Sequence, residues 1–455
     1  MRALALAAAL AASGCSAVIG FHECDVDTDC KGVTPDNTPL FCSDDHMCVG
    51  AIPDYALCKV AEPENTSSVP DGALVIGGLF RTSGANDVND HTFAQAAELG
   101  ASEFIKAGYN VALVVCDTAG DPGQAARAYD VVIDRFGAKI IVGPDTSDEV
   151  FAVAKEVTAR GVPLISPSAT NPDITGLNDD GLVWRTAASD NLQAKVLASL
   201  VPAGKSLDVL WVTHDSYTEG LEKAFCAASG CDPMTTTPLQ FDTGQAAGAV
   251  AQMNAPDYAV LIADFDAPAL VAALAGAPGQ SLTQYLMTDS ALTPTLWGAG
   301  PFDFTFLTRI RGTAPALPAF TDPSGPVYAA FDASYRGQWH EAPSDTAFVA
   351  NAYDAAYAIA IGAGASGASA TGRAIAARLG SMSDPAGMAV QVRPDEYQSA
   401  VNALIAGGTI DLVGTSGPID WDGSGDVVTA PTEVWTIAQD TGGMPTFKVL
   451  STITP

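Results

Sequence analysis

Residues 140–170 read IIVGPDTSDEVFAVAKEVTARGVPLISPSAT. Ile140-Ile141-Val142 is a β-branched apolar run stopped by Gly143-Pro144, the pattern of a buried parallel strand. Asp145, Thr146 and Ser147 follow with side chains able to cap a helix, ahead of Val150, Val153, Ala154 and Val157 at helical spacing. Val162 to Ile165 forms a second short strand that runs into Ser166-Pro167-Ser168-Ala169-Thr170. Two successive strand ends thus bring hydroxyls and a helix N-terminus to one sheet edge. Ligands of open α/β sheets bind beyond the carboxyl ends of strands, and the free N–H groups of a helix N-terminus favour anions. The stretch reads as a site for a small molecule with a carboxylate. Taken alone, an ordinary well-capped βαβ unit explains it equally well.

The same alternation extends in both directions. Before it come a strand at Leu74-Val75-Ile76, a helix with Phe93, Ala96, Ala97 and Phe104 on one face, a strand at Val111 to Val115, and a helix lined by Ala125, Ala128, Val132 and Phe136. After it the pattern restarts: helix Asn191 to Leu200, strand Val209 to Val212, helix Tyr217 to Ala228, strand Ala259 to Ala263, helix Ala267 to Ala275 and strand Tyr285 to Met287. Two long helices, Tyr328 to His340 and Ala347 to Ala365, precede short strands at Thr409 to Val413, Pro418 to Trp421, Thr432 to Ile437 and Thr446 to Leu450. Strands alternating with helices of this length imply parallel sheets covered on both faces. The expected fold class is α/β, with two Rossmann-like lobes joined by crossover hinge segments. Lobe 1 is assigned to 73–190 plus about 311–425, and lobe 2 to 191–310 plus about 426–455. Such a pair encloses a cleft and closes on a ligand by hinge motion.

With 455 residues the chain has room for two or three domains. Its 52 acidic against 21 basic residues, a formal charge of -31, disfavour nucleic acid and anionic lipid surfaces as partners. Met1-Arg2, the apolar run Ala3 to Ala12 and the small residues before Cys15 resemble a bacterial lipoprotein signal, 1–15, with Cys15 as the lipidated residue. Ser16 is not the aspartate that marks inner-membrane retention, which points to an outer-membrane anchor in the cell envelope. No later run reaches the roughly 18 apolar residues of a membrane span.

Eight further cysteines imply disulfides in an exported chain. Sequence does not dictate connectivity. The expected pairing is two bridges among Cys24, Cys30, Cys42 and Cys48, a local Cys226–Cys231 bridge, and Cys58–Cys116. A Cys-rich module is therefore assigned to 16–60 and a Pro-, Ser- and acid-rich linker to 61–72. No metal site is expected, because CxxC spacing is absent and no cysteine directly adjoins a histidine. No cofactor is expected either: P-loop, GxSxG, HExxH and GxGxxG motifs are all missing. Of five scattered histidines, His214, near Ser216 at a strand end, is the best catalytic candidate, and a polar strand-end residue explains it better.

Several segments of the body carry a resemblance in order. They are Asp117-Thr118-Ala119-Gly120-Asp121-Pro122, Ile141-Val142-Gly143-Pro144 with Ser147, Pro163 to Pro172, Trp184-Arg185-Thr186 with Ser189-Asp190, Ala352-Tyr353-Asp354-Ala355, and Gly417 to Asp422 with Gly425-Asp426. Over about 73–440 the chain resembles the type I periplasmic binding proteins of the leucine/isoleucine/valine-binding group. The resemblance implies an extracytoplasmic protein, not an enzyme, that captures an amino acid or similar small zwitterion for an ABC permease or a sensor. It implies Ser147 and Thr170 as hydroxyls for the ligand's α-groups, Ser168 as a backbone contact, Tyr217 as a cover and Asp289 as the ammonium partner. Either Phe265 or Asp266 falls near the family's second ring. Arg81 stands where many members keep small residues; it reads as a solvated arginine, and inside the cleft it would favour an acidic ligand side chain. The alternative is a sensory or scaffold receptor lipoprotein for an amide or organic acid, without transport.

Overall fold

Thr146 starts the helix of the organising stretch with a capping box. Its hydroxyl accepts the Glu149 N–H at 3.3 Å, and the Glu149 carboxylate accepts the Thr146 N–H at 3.1 Å. Gly161, left-handed at φ 66°, ends the helix after Arg160. These details come from a computed structural model, which describes residues 41–42, 48–49, 54–83, 91–277, 282–298, 302–319, 322–367 and 370–455. Two units cluster separately, Met1–Lys59 and Val60–Pro455. In the first, Phe41–Cys42 and Cys48–Val49 pair antiparallel. Cys15 and the side chains of Cys24, Cys30, Cys42 and Cys48 lie outside the description. Cys58 and Cys116 are both disulfide-bonded, as their expected pairing requires, and Cys226 is bridged to Cys231.

The body opens with β1 (Leu74–Phe80), α1 (Thr92–Lys106), β2 (Val111–Asp117), α2 (Pro122–Asp134), β3 (Ile140–Val142), α3 (Ser147–Arg160), β4 (Leu164–Ser166) and β5 (Val183–Arg185). These strands are parallel in the order β2-β1-β3-β4-β5. There follow α4 (Asp190–Ser199), β6 (Leu207–Val212), α5 (Ser216–Ser229), β7 (Thr236–Phe241), β8 (Tyr258–Ile262), α6 (Ala267–Ala275), β9 (Gln284–Met287) and β10 (Ile310–Pro315). This second set is again parallel, in the order β7-β6-β8-β9-β10. After α7 (Gly325–Trp339), α8 (Val349–Ser366), α9 (Gly372–Leu379), β11 (Met388–Gln391), α10 (Tyr397–Ile405) and β12 (Ile410–Val413), the chain returns. It adds β13 (Thr432–Gln439) and β14 (Pro445–Ile453) antiparallel to the second sheet beside β10.

Both lobes thus share one strand order, and each reverses between its first and third strands. Such a reversal opens a crevice at the carboxyl ends of those strands. In the first lobe it places the residues after β1 and β3 at the crevice, and in the second those after β6 and β8.

Two expectations are corrected here. Pro418 to Trp421 is not a strand; it makes only single bridges, Val413 to Pro418 and Trp421 to Val427. Strands β5, β7, β10 and β11 went unread, as did a strand at Cys58–Glu62. In β10, Gly312 and Pro315 look like breakers, yet a Cβ at 312 would overlap the indole of Trp435, so the glycine is what lets that ring pack on the sheet. Helix α8 is buried on nearly every side among α1, α9 and α10. Its Asp354 accepts the N–H and hydroxyl of both Thr415 and Ser416 at 2.6–2.8 Å, which ties α8 to the turn after β12.

Gly143, at φ 94°, ends β3 where a Cβ would overlap the Leu79 carbonyl oxygen of the neighbouring strand. Gly143→Ala is expected to lose more stability than the roughly 1–2 kcal/mol of a left-handed alanine alone. Urea denaturation checks this; a loss below that range would show that the strands separate freely.

Glu433, on β13 opposite Ala314, is 9% exposed, and burial raises its carboxyl from 4.5 to about 7. The folded state therefore holds the proton between those values. Its contribution is complete below about 4.5 and is lost as pH rises through about 7, at most about 3 kcal/mol. Glu433→Gln is expected to melt higher than the wild type at pH 8 and to match it at pH 4. The difference between the two proteins is the readout, since burial also raises Asp215 and Asp354 to about 6.

Candidate functional site

The two crevices meet around a cavity of about 440 Å³. From the first lobe come Arg81 after β1, the Asp145 to Asp148 segment at the start of α3, and Ser168 after β4. From the second come Asp215 and Tyr217 at the start of α5, Asp264 and Phe265 after β8, and Asp289 after β9.

Four of the five expected ligand residues line this cavity: Ser147, Ser168, Tyr217 and Asp289. Ser147 is the first residue of α3 and buried, and its Oγ accepts the Asn171 N–H at 3.3 Å, leaving its own proton available. The Ser168 hydroxyl donates to the Asp145 carbonyl at 2.7 Å. The Tyr217 hydroxyl donates to Asp289 Oδ1 at 2.5 Å and also lies 2.8 Å from Thr288 Oγ1. Asp289 is 3% exposed, and burial pushes its carboxyl up despite the hydrogen bond from Tyr217.

Thr170 is set back from the others. It lines a smaller chamber of about 50 Å³ beside the hinge, and its hydroxyl donates to Asp190 Oδ2 at 3.0 Å. Its remaining lone pairs can only accept. Asp289 and Phe348 line both chambers. Phe348 is held at φ 69°, an unusual backbone setting for a bulky residue and a mark of local strain.

Arg81 departs from its expectation. It lines the cavity, and its guanidinium carbon lies 4.0 Å from the centre of the Phe265 ring, a cation–π contact from one lobe to the other. Of the two candidates, Phe265 lines the cavity, whereas Asp266 is buried away from it and accepts the Gly244 N–H at 2.9 Å. His214 is exposed in the left-handed region at φ 61° and lines neither chamber. Phe93, which lines the larger cavity, Gln193, which lines the smaller chamber, and Phe348 were not among the expected lining residues. Phe93 was read as a core residue, and nothing local marks the other two.

The lobes also touch at one edge. The Asn171 amide donates to the Ser216 carbonyl, the Ser216 N–H approaches Asp148 Oδ1 at 3.3 Å, and Gly220 leaves room for Asn171. At the crossover, Arg185 is wholly buried. It binds Asp426 through Nε at 2.8 Å and also donates to the carbonyl of Asn171 at 3.0 Å and to Thr175 Oγ1 at 3.1 Å.

A family model described as "Periplasmic binding protein" matches residues 73–406. The substrate-binding protein BasB of a chemotactic signal transduction system in Halobacterium salinarum is 28% identical over 69% of this chain and 73% of its own length. Among solved structures, the branched-chain amino acid transporter substrate-binding protein LivJ of Streptococcus pneumoniae, in complex with isoleucine, superposes with a TM-score of 0.63. It is 20% identical and covers 84% of this chain and 100% of its own. A solute-binding protein of an ABC transporter from Rhodopseudomonas palustris, in complex with 3,4-dihydroxybenzoic acid, gives 0.61 at 14% identity, over 84% and 98%. The family match covers most of the lobed body and agrees with its paired strand orders: the chain belongs to the periplasmic binding proteins, extracytoplasmic proteins that bind small molecules.

Proposed function

We propose that the cleft captures an amino acid or a similar small zwitterion and delivers it to an ABC-type permease, with no bond made or broken. Asp289 carries this reading. It is a carboxylate buried between the lobes and held by Tyr217, and a ligand ammonium is the partner that would repay its desolvation. The Ser147 hydroxyl and the N-terminus of α3 suit a carboxylate. Thr170, whose proton is committed to Asp190, suits a donor such as the ammonium. Among the residues named around the cavity, five carboxylates (Asp145, Asp148, Asp215, Asp264 and Asp289) outnumber the Arg81 guanidinium, which disfavours a purely anionic benzoate. The sequence features before the body support lipid attachment at Cys15, an outer-membrane anchor, and a disulfide module at 16–60 as a spacer or docking piece.

Thermal melting of the full chain against the twenty amino acids, small amides and aromatic acids tests the reading. One amino acid at a hundredfold excess over its Kd is expected to add about 2.7 kcal/mol of stability. Shifts confined to acids or amides would remove the amino-acid assignment. A second reading, a sensory receptor, draws on the chemotactic relative. Co-purification with a permease, against co-purification with a transducer, separates the two.

A further inference from the structure

The edge where the two lobes touch is built around Asn171, which is 3% exposed and fastened to its own lobe at three points. Its N–H donates to Ser147 Oγ at 3.3 Å, its carbonyl accepts Arg185 Nη1 at 3.0 Å, and its side-chain oxygen accepts the Asp173 N–H at 2.6 Å. The amide nitrogen that remains crosses to the second lobe and donates to the Ser216 carbonyl at the start of α5. Gly220 follows Ser216 by one turn on the same face of α5. A Cβ at 220 would come within 2.5 Å of the Asn171 amide nitrogen and 2.9 Å of its side-chain carbonyl carbon. Glycine weakens a helix interior relative to alanine, and here its missing side chain is the space that Asn171 occupies. Beside this pair, the Ser216 N–H lies 3.3 Å from Asp148 Oδ1, so a carboxylate of the first lobe stands at the N-terminus of a helix of the second. Neither Asn171 nor Gly220 lines the larger cavity or the hinge chamber. Asn171 nevertheless holds Ser147, a cavity residue, through its N–H and grips the opposite lobe through its side chain.

We propose that Asn171 and Gly220 form the closing seam of the cleft: the Asn171 side chain enters the gap in α5 when the lobes shut, and the pair sets ligand affinity without touching the ligand. Asn171 is thereby a positioning residue, and Gly220 is the hole that receives it. The seam rests on the reading of the cleft as a binding site, and not on the ligand being an amino acid.

Gly220→Ala, Asn171→Ala and the double variant are melted without ligand. They are then titrated, and their dissociation timed, with whichever of the twenty amino acids, small amides and aromatic acids shifts the wild-type melt most. Alanine is the better helix former and open lobes leave its methyl group unopposed, so ligand-free Gly220→Ala is expected to melt level with the wild type or above it. Its Kd is expected to rise about tenfold or more, through faster dissociation, because closure now forces an overlap. Asn171→Ala loses one hydrogen bond across the seam and binds roughly fivefold more weakly. In the double variant the shortened residue 171 makes room for the methyl group, so adding Gly220→Ala to Asn171→Ala weakens binding by less than about twofold. A displaced Tyr217, three residues before Gly220, would show no such rescue. An unchanged Kd in Gly220→Ala, or a tenfold loss that persists when Asn171→Ala is added, overturns the proposal. If no compound binds, the binding reading fails by itself and the ligand-free melts decide the seam. A Gly220→Ala midpoint about 2 °C or more below the wild type, restored by Asn171→Ala, would mark permanent packing and overturn the seam, whereas a level or higher midpoint supports lobes that part there.

Discussion

Asp289→Ala is expected to cost about 2–5 kcal/mol of amino-acid binding, roughly thirtyfold to several-thousandfold in Kd. The carboxylate is 3% exposed and its hydrogen bond from Tyr217 is 2.5 Å long, so a ligand ammonium would meet it away from water, where a lost charge partner is felt in full. Asp289→Asn keeps the shape and an oxygen for Tyr217 and removes the charge, so most of the loss should persist. The ligand-free protein should respond in the opposite sense. Burial pushes the Asp289 carboxyl up, so removing it lifts an unfavourable term, and both variants should melt no lower than the wild type. Calorimetric titration with the best amino acid, alongside melts without it, measures both halves. Binding by Asp289→Ala within about twofold of the wild type would refute the ammonium assignment.

Arg185→Ala is expected to lose about 3–5 kcal/mol of folding stability, because it strands the buried Asp426 carboxylate without its partner. The guanidinium is fully buried and also gathers the carbonyls of Ala169 and Asn171 with the Thr175 hydroxyl. One side chain thus fastens the strand that leaves the first lobe to the segment after Ser168 and to the turn at Gly425-Asp426. Removing both charges should be far milder. Arg185→Met with Asp426→Leu leaves no orphaned ion, and such double replacements of buried pairs are often neutral. Urea denaturation of the single and double variants decides it. A single variant within about 1 kcal/mol of the wild type would mean that the crossover is held by packing alone.

Legibility from sequence followed the range of the interactions. Strand β3 was read to the residue because three β-branched residues and a Gly-Pro stop are local signals. The cap of α3 was read among three candidates and fell on Thr146, with Glu149 completing the box. Strand β7 was missed because it is an edge strand with Pro238 and mostly exposed positions, so it shows no apolar run. The resemblance named Ser147, Ser168, Tyr217 and Asp289, and the fold brings all four to one cavity. It placed Thr170 with them, whereas the fold sets Thr170 in the hinge chamber and turns its proton toward Asp190.

The sequence by itself determined the α/β alternation, the two lobes and the residue types at their strand ends. Strand runs, caps and turns are decided by neighbours a few residues apart. Tertiary structure alone decided which of those ends face each other. It carried Arg81 across the cleft onto Phe265, put Phe348 between the two chambers, and left Asp190 and Asp289 with a shared space. Those pairs are separated by more than ninety residues, and their meeting depends on how two twisted sheets and their crossovers pack, which no local pattern encodes.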